Sequence, residues 1–120
     1  MTIEEVTANK KDYLDLLLLA DEQEDMIDRY LDTGRMFKLY DNGVKCISVI
    51  VELNDNECEL KNLATYPSEQ GEGYRQAMVA FLFNELLGKY KTMYVGTGDV
   101  PFILSFYKKC GFRESHRVKN

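Results

Sequence analysis

Gln70-Gly71-Glu72-Gly73 stands between a strand-like segment ending near Thr65 and a long helical pattern opening near Tyr74. The first N–H groups of a helix have no internal partners and point out of its N-terminus, where the macrodipole also favours an anion. Glycines let a chain approach phosphates closely and take up positive φ. The segment therefore suits a diphosphate. It equally suits a plain turn and helix start, and Glu72 would oppose a phosphate unless it pointed away. The dinucleotide fingerprint is excluded, because that motif needs G-x-G-x-x-G on an opening βα turn. The lysine of a P-loop is also missing.

Thirty-odd residues later comes Phe106-Tyr107-Lys108-Lys109-Cys110-Gly111-Phe112. A tyrosine can act as general acid toward a departing thiolate, since its pKa of about 10 lies just above that of a thiol at about 8.5. With eight tyrosines in the chain, the competing reading is a ring that bridges core and solvent.

The elements that must position these residues follow from periodicity. Thr2 to Thr7 reads as a short strand. Asn9 is a candidate N-cap for a helix from Lys10 carrying Leu14, Leu17 and Leu18. A second helix runs from about Glu22 to Leu31, and Gly34 stops it. Met36 to Tyr40 and Val44 to Leu53 read as strands joined by Asp41-Asn42-Gly43, a strong hairpin signal. Asn54-Asp55-Asn56 turns the chain back into Glu57 to Thr65, and Tyr66-Pro67-Ser68 breaks that strand. Tyr74 to Leu87 is the clearest helix, with Ala77, Met78, Phe81, Leu82 and Leu86 on one face. Lys91 to Gly96 is a strand, Pro101 opens a short helix to about Lys109, and Phe112 onward is extended. The order predicts an antiparallel meander, then a right-handed parallel crossover. The expected fold class is α+β, an α/β/α layered arrangement whose mixed, mostly antiparallel sheet of about six strands has helices on both faces.

Bulk properties bound the partners. The 120 residues are the size of one domain, spanning 1–120. A net charge of −5 argues against nucleic-acid and anionic-membrane partners, which call for basic patches. Three separated cysteines and a single histidine are too few for a structural zinc site, so no metal is expected. The odd cysteine count and the absence of a leader-like segment predict a cytoplasmic location.

Strand, Q-G-x-G, helix, strand, then F-Y-K-K-C-G-F, in this order and spacing, resembles the GNAT superfamily of N-acetyltransferases. The resemblance covers about Tyr13 to Phe112. It is most specific in L-K-N-L-A-T-Y-P-S-E-Q-G-E-G-Y, which looks like the family's fourth strand and coenzyme loop, and in M-Y-V-G-T-G-D with the Tyr107 segment. The resemblance implies a GNAT-like acyl-CoA N-acyltransferase fold and acetyl-CoA as co-substrate. The pantetheine arm would lie along Leu63, Ala64 and Thr65, and the diphosphate on Gln70, Gly71, Glu72, Gly73, Tyr74 and Arg75. Asp99 would sit by the pantetheine amides, and Tyr107 would protonate the thiolate. Backbone N–H groups near Leu63 would hold the oxyanion. Relatives often place Gly or Ala where this chain has Arg75, and Asn where it has Asp99. The family adds a further strand after Gly-Phe, so the expected sheet lacks the last one.

On the acceptor side, the resemblance puts the first two helices along the amine pocket. They are acidic here: Met1 to Thr33 holds ten carboxylates against three basic residues. That suits the primary amine of a small cationic molecule, a protein lysine or an N-terminus; a solvated acidic face is the alternative. Glu59 and Glu57 are the candidate general bases. An inactive binding, regulatory or dimerisation module on the same fold is the other functional reading, with a homodimer joined at the sheet edge.

Overall fold

The structure, a computed structural model, describes residues 1–86 and 89–95. Five strands form one sheet in the order β1-β2-β3-β4-β5. These are β1 (Thr2–Val6), β2 (Arg35–Tyr40), β3 (Val44–Asn54), β4 (Glu57–Thr65) and β5 (Thr92–Val95). Neighbours from β1 to β4 are antiparallel, and β5 joins β4 in parallel. Three helices complete the described part: α1 (Leu14–Ala20), α2 (Glu24–Leu31) and α3 (Tyr74–Leu86).

Strand alternation sorts the sheet into two faces. Met36, Ile47 and Val49 pack with Leu16, Leu17, Ile27 and Leu31 of α1 and α2. Phe37, Leu39, Cys46 and Ile50 pack with Met78, Leu82 and Leu86 of α3. Helices thus cover both faces, as expected for the α/β/α arrangement. Leu16 and Leu17 are fully buried, and each such side chain is worth about 1.5–3 kcal/mol relative to exposure. Phe37 meets the edge of the Phe81 ring at a centroid distance of 5.4 Å, which pins α3 across β2.

Local signals act where the sequence places them. Asn42 and Gly43 both take positive φ, 58° and 117°, and Asp41 N–H donates to Gly43 O at 2.8 Å, closing the β2–β3 hairpin. Three details differ from expectation. Asn9 does not cap a helix with its side chain; it adopts φ 56°, and a 3-10 turn over Lys10–Tyr13 precedes α1. The second helix begins at Glu24 rather than Glu22. Gly34 lies past α2 without a positive φ, and what selects glycine there is proximity. An added Cβ would meet Tyr30 O at 2.7 Å and Val49 Cγ1 at 2.8 Å. The end of α2 is capped from outside by Lys10, whose Nζ donates to Leu31 O and Gly34 O at 2.8 and 2.7 Å.

Candidate active site

The register of β4 contains the feature that shapes the site. Val49 pairs with Asn62 and Ile50 with Leu60, so Lys61 is an extra residue on β4. Such a bulge shifts the alternation of every residue beyond it. Before it, Cys58 and Leu60 face α3. After it, Asn62 and Ala64 face α1 and α2, and Leu63 packs on the α3 side. The register between β4 and β5 runs from Glu57 with Thr92 to Leu60 with Val95. Among the described residues, Asn62 to Thr65 pair only with β3.

Thr65 ends β4 at a cleft of about 240 Å³ lined by Thr65, Glu69, Gln70, Gly71, Gly73, Tyr74 and Arg75. Gly71 and Gly73 hold φ of 89° and 84°, in the left-handed region where side chains are strained. An added Cβ at either would meet nothing within 4 Å, so the space above both is open. The first ladder bond of α3 runs from Ala77 N–H to Gly73 O at 3.0 Å. The amides of residues 74–76 therefore stand at the helix start, ahead of that ladder. Glu72 is exposed and does not line the cleft. Arg75 does line it.

Thr65 lines the cleft and is 5% exposed, and its hydroxyl interacts with the Cys46 thiol. The Cys46 thiol lies across the strand pair from it. Burial pushes that thiol up to about 11, so it stays protonated and is no nucleophile. Tyr74 Oη donates to Asp41 Oδ2 at 3.0 Å and ties the start of α3 to the β2–β3 hairpin.

The two candidate bases differ in setting. Glu57 accepts from Tyr94 Oη and Asn54 Nδ2, both at 2.8 Å. The Asn54 amide and then the Tyr94 hydroxyl hold its carboxyl below the usual range. Glu59 sits one residue before Leu60, the last recorded pair with β5, in partial burial with its Oε1 3.3 Å from Lys61 Nζ. Asp99 and Tyr107 lie outside the described residues, as do the short helix to Lys109 and the extended segment from Phe112. Among the described residues, no three His, Cys, Asp or Glu side chains gather as metal ligands. None of the described helices is long and apolar enough to cross a membrane.

Sequence reading missed three residues. Asn62 is 2% exposed, and its Nδ2 donates to Leu17 O at 3.0 Å and Tyr30 Oη at 3.1 Å. Lys45 reaches Glu69 at 3.4 Å, beside the cleft. Asn62 carried a usable signal, since a polar amide inside a strand pattern has low β-propensity and asks for partners. Lys45 and Glu69 carried none, because their meeting depends on the loop's path.

A mixed sheet with an antiparallel meander, a bulged β4 and a glycine-lined cleft at the following helix defines the acyl-CoA N-acyltransferase architecture. Comparison with known proteins agrees. An uncharacterized N-acetyltransferase, YvbK, of Bacillus subtilis is 33% identical over 103 residues, which cover 82% of this chain and 66% of that protein. The crystal structure of a GNAT family acetyltransferase from Elizabethkingia anophelis with acetyl-CoA bound superposes with TM-score 0.79 at 32% identity, over 93% of this chain and 75% of the other. A Bacillus subtilis acetyltransferase in complex with CoA gives 0.76 at 31%, over 92% and 75%. No family model matches the chain. The chain belongs to the GNAT family of acetyl-CoA-dependent acetyltransferases. It spans 66% of the length of the curated relative it matches.

Proposed function

We propose that this chain takes acetyl-CoA in the cleft before α3 and passes the acetyl group to a primary amine by direct attack in a ternary complex. The observation that carries the reading is the cleft itself: two open glycines at positive φ beside a helix start, at the end of β4. The acetyl-CoA and CoA held by two relatives support it. In this reading the diphosphate rests on the amides of Gln70 to Arg75, and the pantetheine arm follows Leu63, Ala64 and Thr65 toward the bulge. Glu59 takes the proton of the amine, directly or through water. The amine nitrogen bonds to the thioester carbonyl carbon, the C–S bond breaks, and Tyr107 returns a proton to the thiolate. Glu57 is the weaker base, because its two donors stabilise the carboxylate.

The acceptor is an amine of a small cation, a protein lysine or an N-terminus, attracted by the carboxylates of α1 and α2. Titration calorimetry with acetyl-CoA is the first test, followed by thiol release across a panel of amines. No binding at millimolar coenzyme, or binding with no thiol released by any amine, rejects the reading.

A further inference from the structure

The cleft before α3 has a carboxylate in its wall. Glu69 lines it, closing a 3-10 turn over Pro67–Glu69 whose last amide donates to Tyr66 O at 2.8 Å. A fixed anion there would repel a diphosphate, and the half-buried setting would screen that repulsion less than bulk water does. The chain places a cation against it: Lys45 Nζ is 3.4 Å from Glu69 Oε2, with the side chains 20% and 28% exposed.

The backbone explains why Lys45 reaches there. Leu39 pairs with Cys46 and Tyr40 with Val44, so Lys45 is the extra residue of a bulge where β3 leaves the hairpin. Bulges re-aim side chains. Tyr74, bonded to Asp41 of the same hairpin, holds the start of α3 close to this point. Two separate links thus join the hairpin to the coenzyme cleft, one from each side of the loop.

We infer that Lys45 is a positioning residue for coenzyme binding: it neutralises and holds Glu69, so that the cleft accepts the diphosphate. The inference rests on the coenzyme reading proposed above. It differs from direct phosphate capture by lysine, because it makes the effect of Lys45 depend on Glu69.

The test is calorimetry of CoA, and of pantetheine as a probe without phosphates, on the full chain and three variants. Lys45→Gln should weaken CoA about tenfold, the scale of one uncompensated charge beside the ligand, and leave pantetheine unchanged. Glu69→Gln should bind CoA as well as the parent or better. The double variant should recover parental affinity, which a merely misfolded Lys45→Gln protein would not do. Parental CoA affinity in Lys45→Gln overturns the inference. A double variant as weak as Lys45→Gln also overturns it, and assigns Lys45 to the phosphates directly. Failure of the unsubstituted chain to bind CoA removes the coenzyme reading and this inference together.

Discussion

The Asn62 side-chain amide donates to Tyr30 Oη at 3.1 Å and to Leu17 O at 3.0 Å, so one residue of β4 holds both helices on its face. Leu17 O also receives Asp21 N–H at 3.1 Å, which ends α1. Asn62→Ala should cost about 2 kcal/mol in urea unfolding, for two buried bonds lost. Asn62→Asp should cost more at neutral pH, since it sets a buried carboxylate against a carbonyl oxygen. Such a carboxyl has a raised folded pKa, so its penalty applies above that pKa and fades as pH falls through it. Equal stability of Asn62→Asp and the parent at pH 7 would contradict the geometry.

Tyr30 is also the neighbour that forbids a side chain at Gly34, as its carbonyl lies 2.7 Å from where a Cβ would stand and Val49 Cγ1 is 2.8 Å away. Both obstacles are inside the core, one of them backbone. Gly34→Ala should therefore lose about 2–3 kcal/mol by overpacking. Gly43→Ala, in open space at φ 117°, should lose only about 1–2 kcal/mol, from the strained φ. Thermal unfolding of the two variants checks the order, and a milder Gly34→Ala would refute it.

Among the described residues, five tyrosines end on a carboxylate: Tyr30 on Asp21, Tyr66 on Asp15, Tyr74 on Asp41, Tyr90 on Glu52 and Tyr94 on Glu57. All five pKa values are raised, those of Tyr30 and Tyr90 chiefly by burial and those of Tyr66, Tyr74 and Tyr94 chiefly by the bond to the carboxylate, Tyr66 up to about 12. A folded pKa above the unfolded value contributes stability that is full below pH ~10 and lost as pH climbs through the folded pKa. Phenolate absorbance of the native protein should lag behind that of the denatured chain, and Tyr66→Phe should remove one late step near pH 12. Coincident titration curves would rule this out.

The sequence showed some of these relationships and hid others for physical reasons. The Asn42-Gly43 hairpin was legible because two adjacent residues decide it. The helix Tyr74–Leu86 and its buried Met78, Leu82 and Leu86 were legible from spacing. The cleft-forming glycines at 71 and 73 were legible as residue types, and their positive φ agrees. The bulge at Lys61 was not, because it exists only in the pairing of β4 with β3, and neither strand announces a skipped residue. Every statement about which way Asn62 faces hangs on that skip. The tyrosine–carboxylate pairs join residues up to 51 positions apart, a distance over which composition carries no information.

Glu57 and Glu59 offer the last and most direct contrast. They are two apart on β4, before the bulge, and so share a face. Glu57 is bound by Asn54 and Tyr94 and its pKa is lowered, which favours the carboxylate and weakens it as a base. Its bonds therefore contribute stability above the unfolded carboxyl pKa, lost as pH falls through the lower folded value. Glu59 pairs with Lys61 at a distance of 3.3 Å and lies two residues nearer the stretch of β4 proposed for the thioester. If Glu59 is the base, Glu59→Gln should lower kcat about 100-fold with coenzyme affinity unchanged. Glu57→Gln should keep most of kcat and instead unfold more readily near neutral pH. Tyr107→Phe should lower kcat without weakening coenzyme binding. A thiol-release assay beside coenzyme calorimetry separates the outcomes. If Glu57→Gln lost kcat while Glu59→Gln kept it, the roles of the two carboxylates would be reversed, with the bonds from Asn54 and Tyr94 orienting a catalytic base rather than stabilising a structural one.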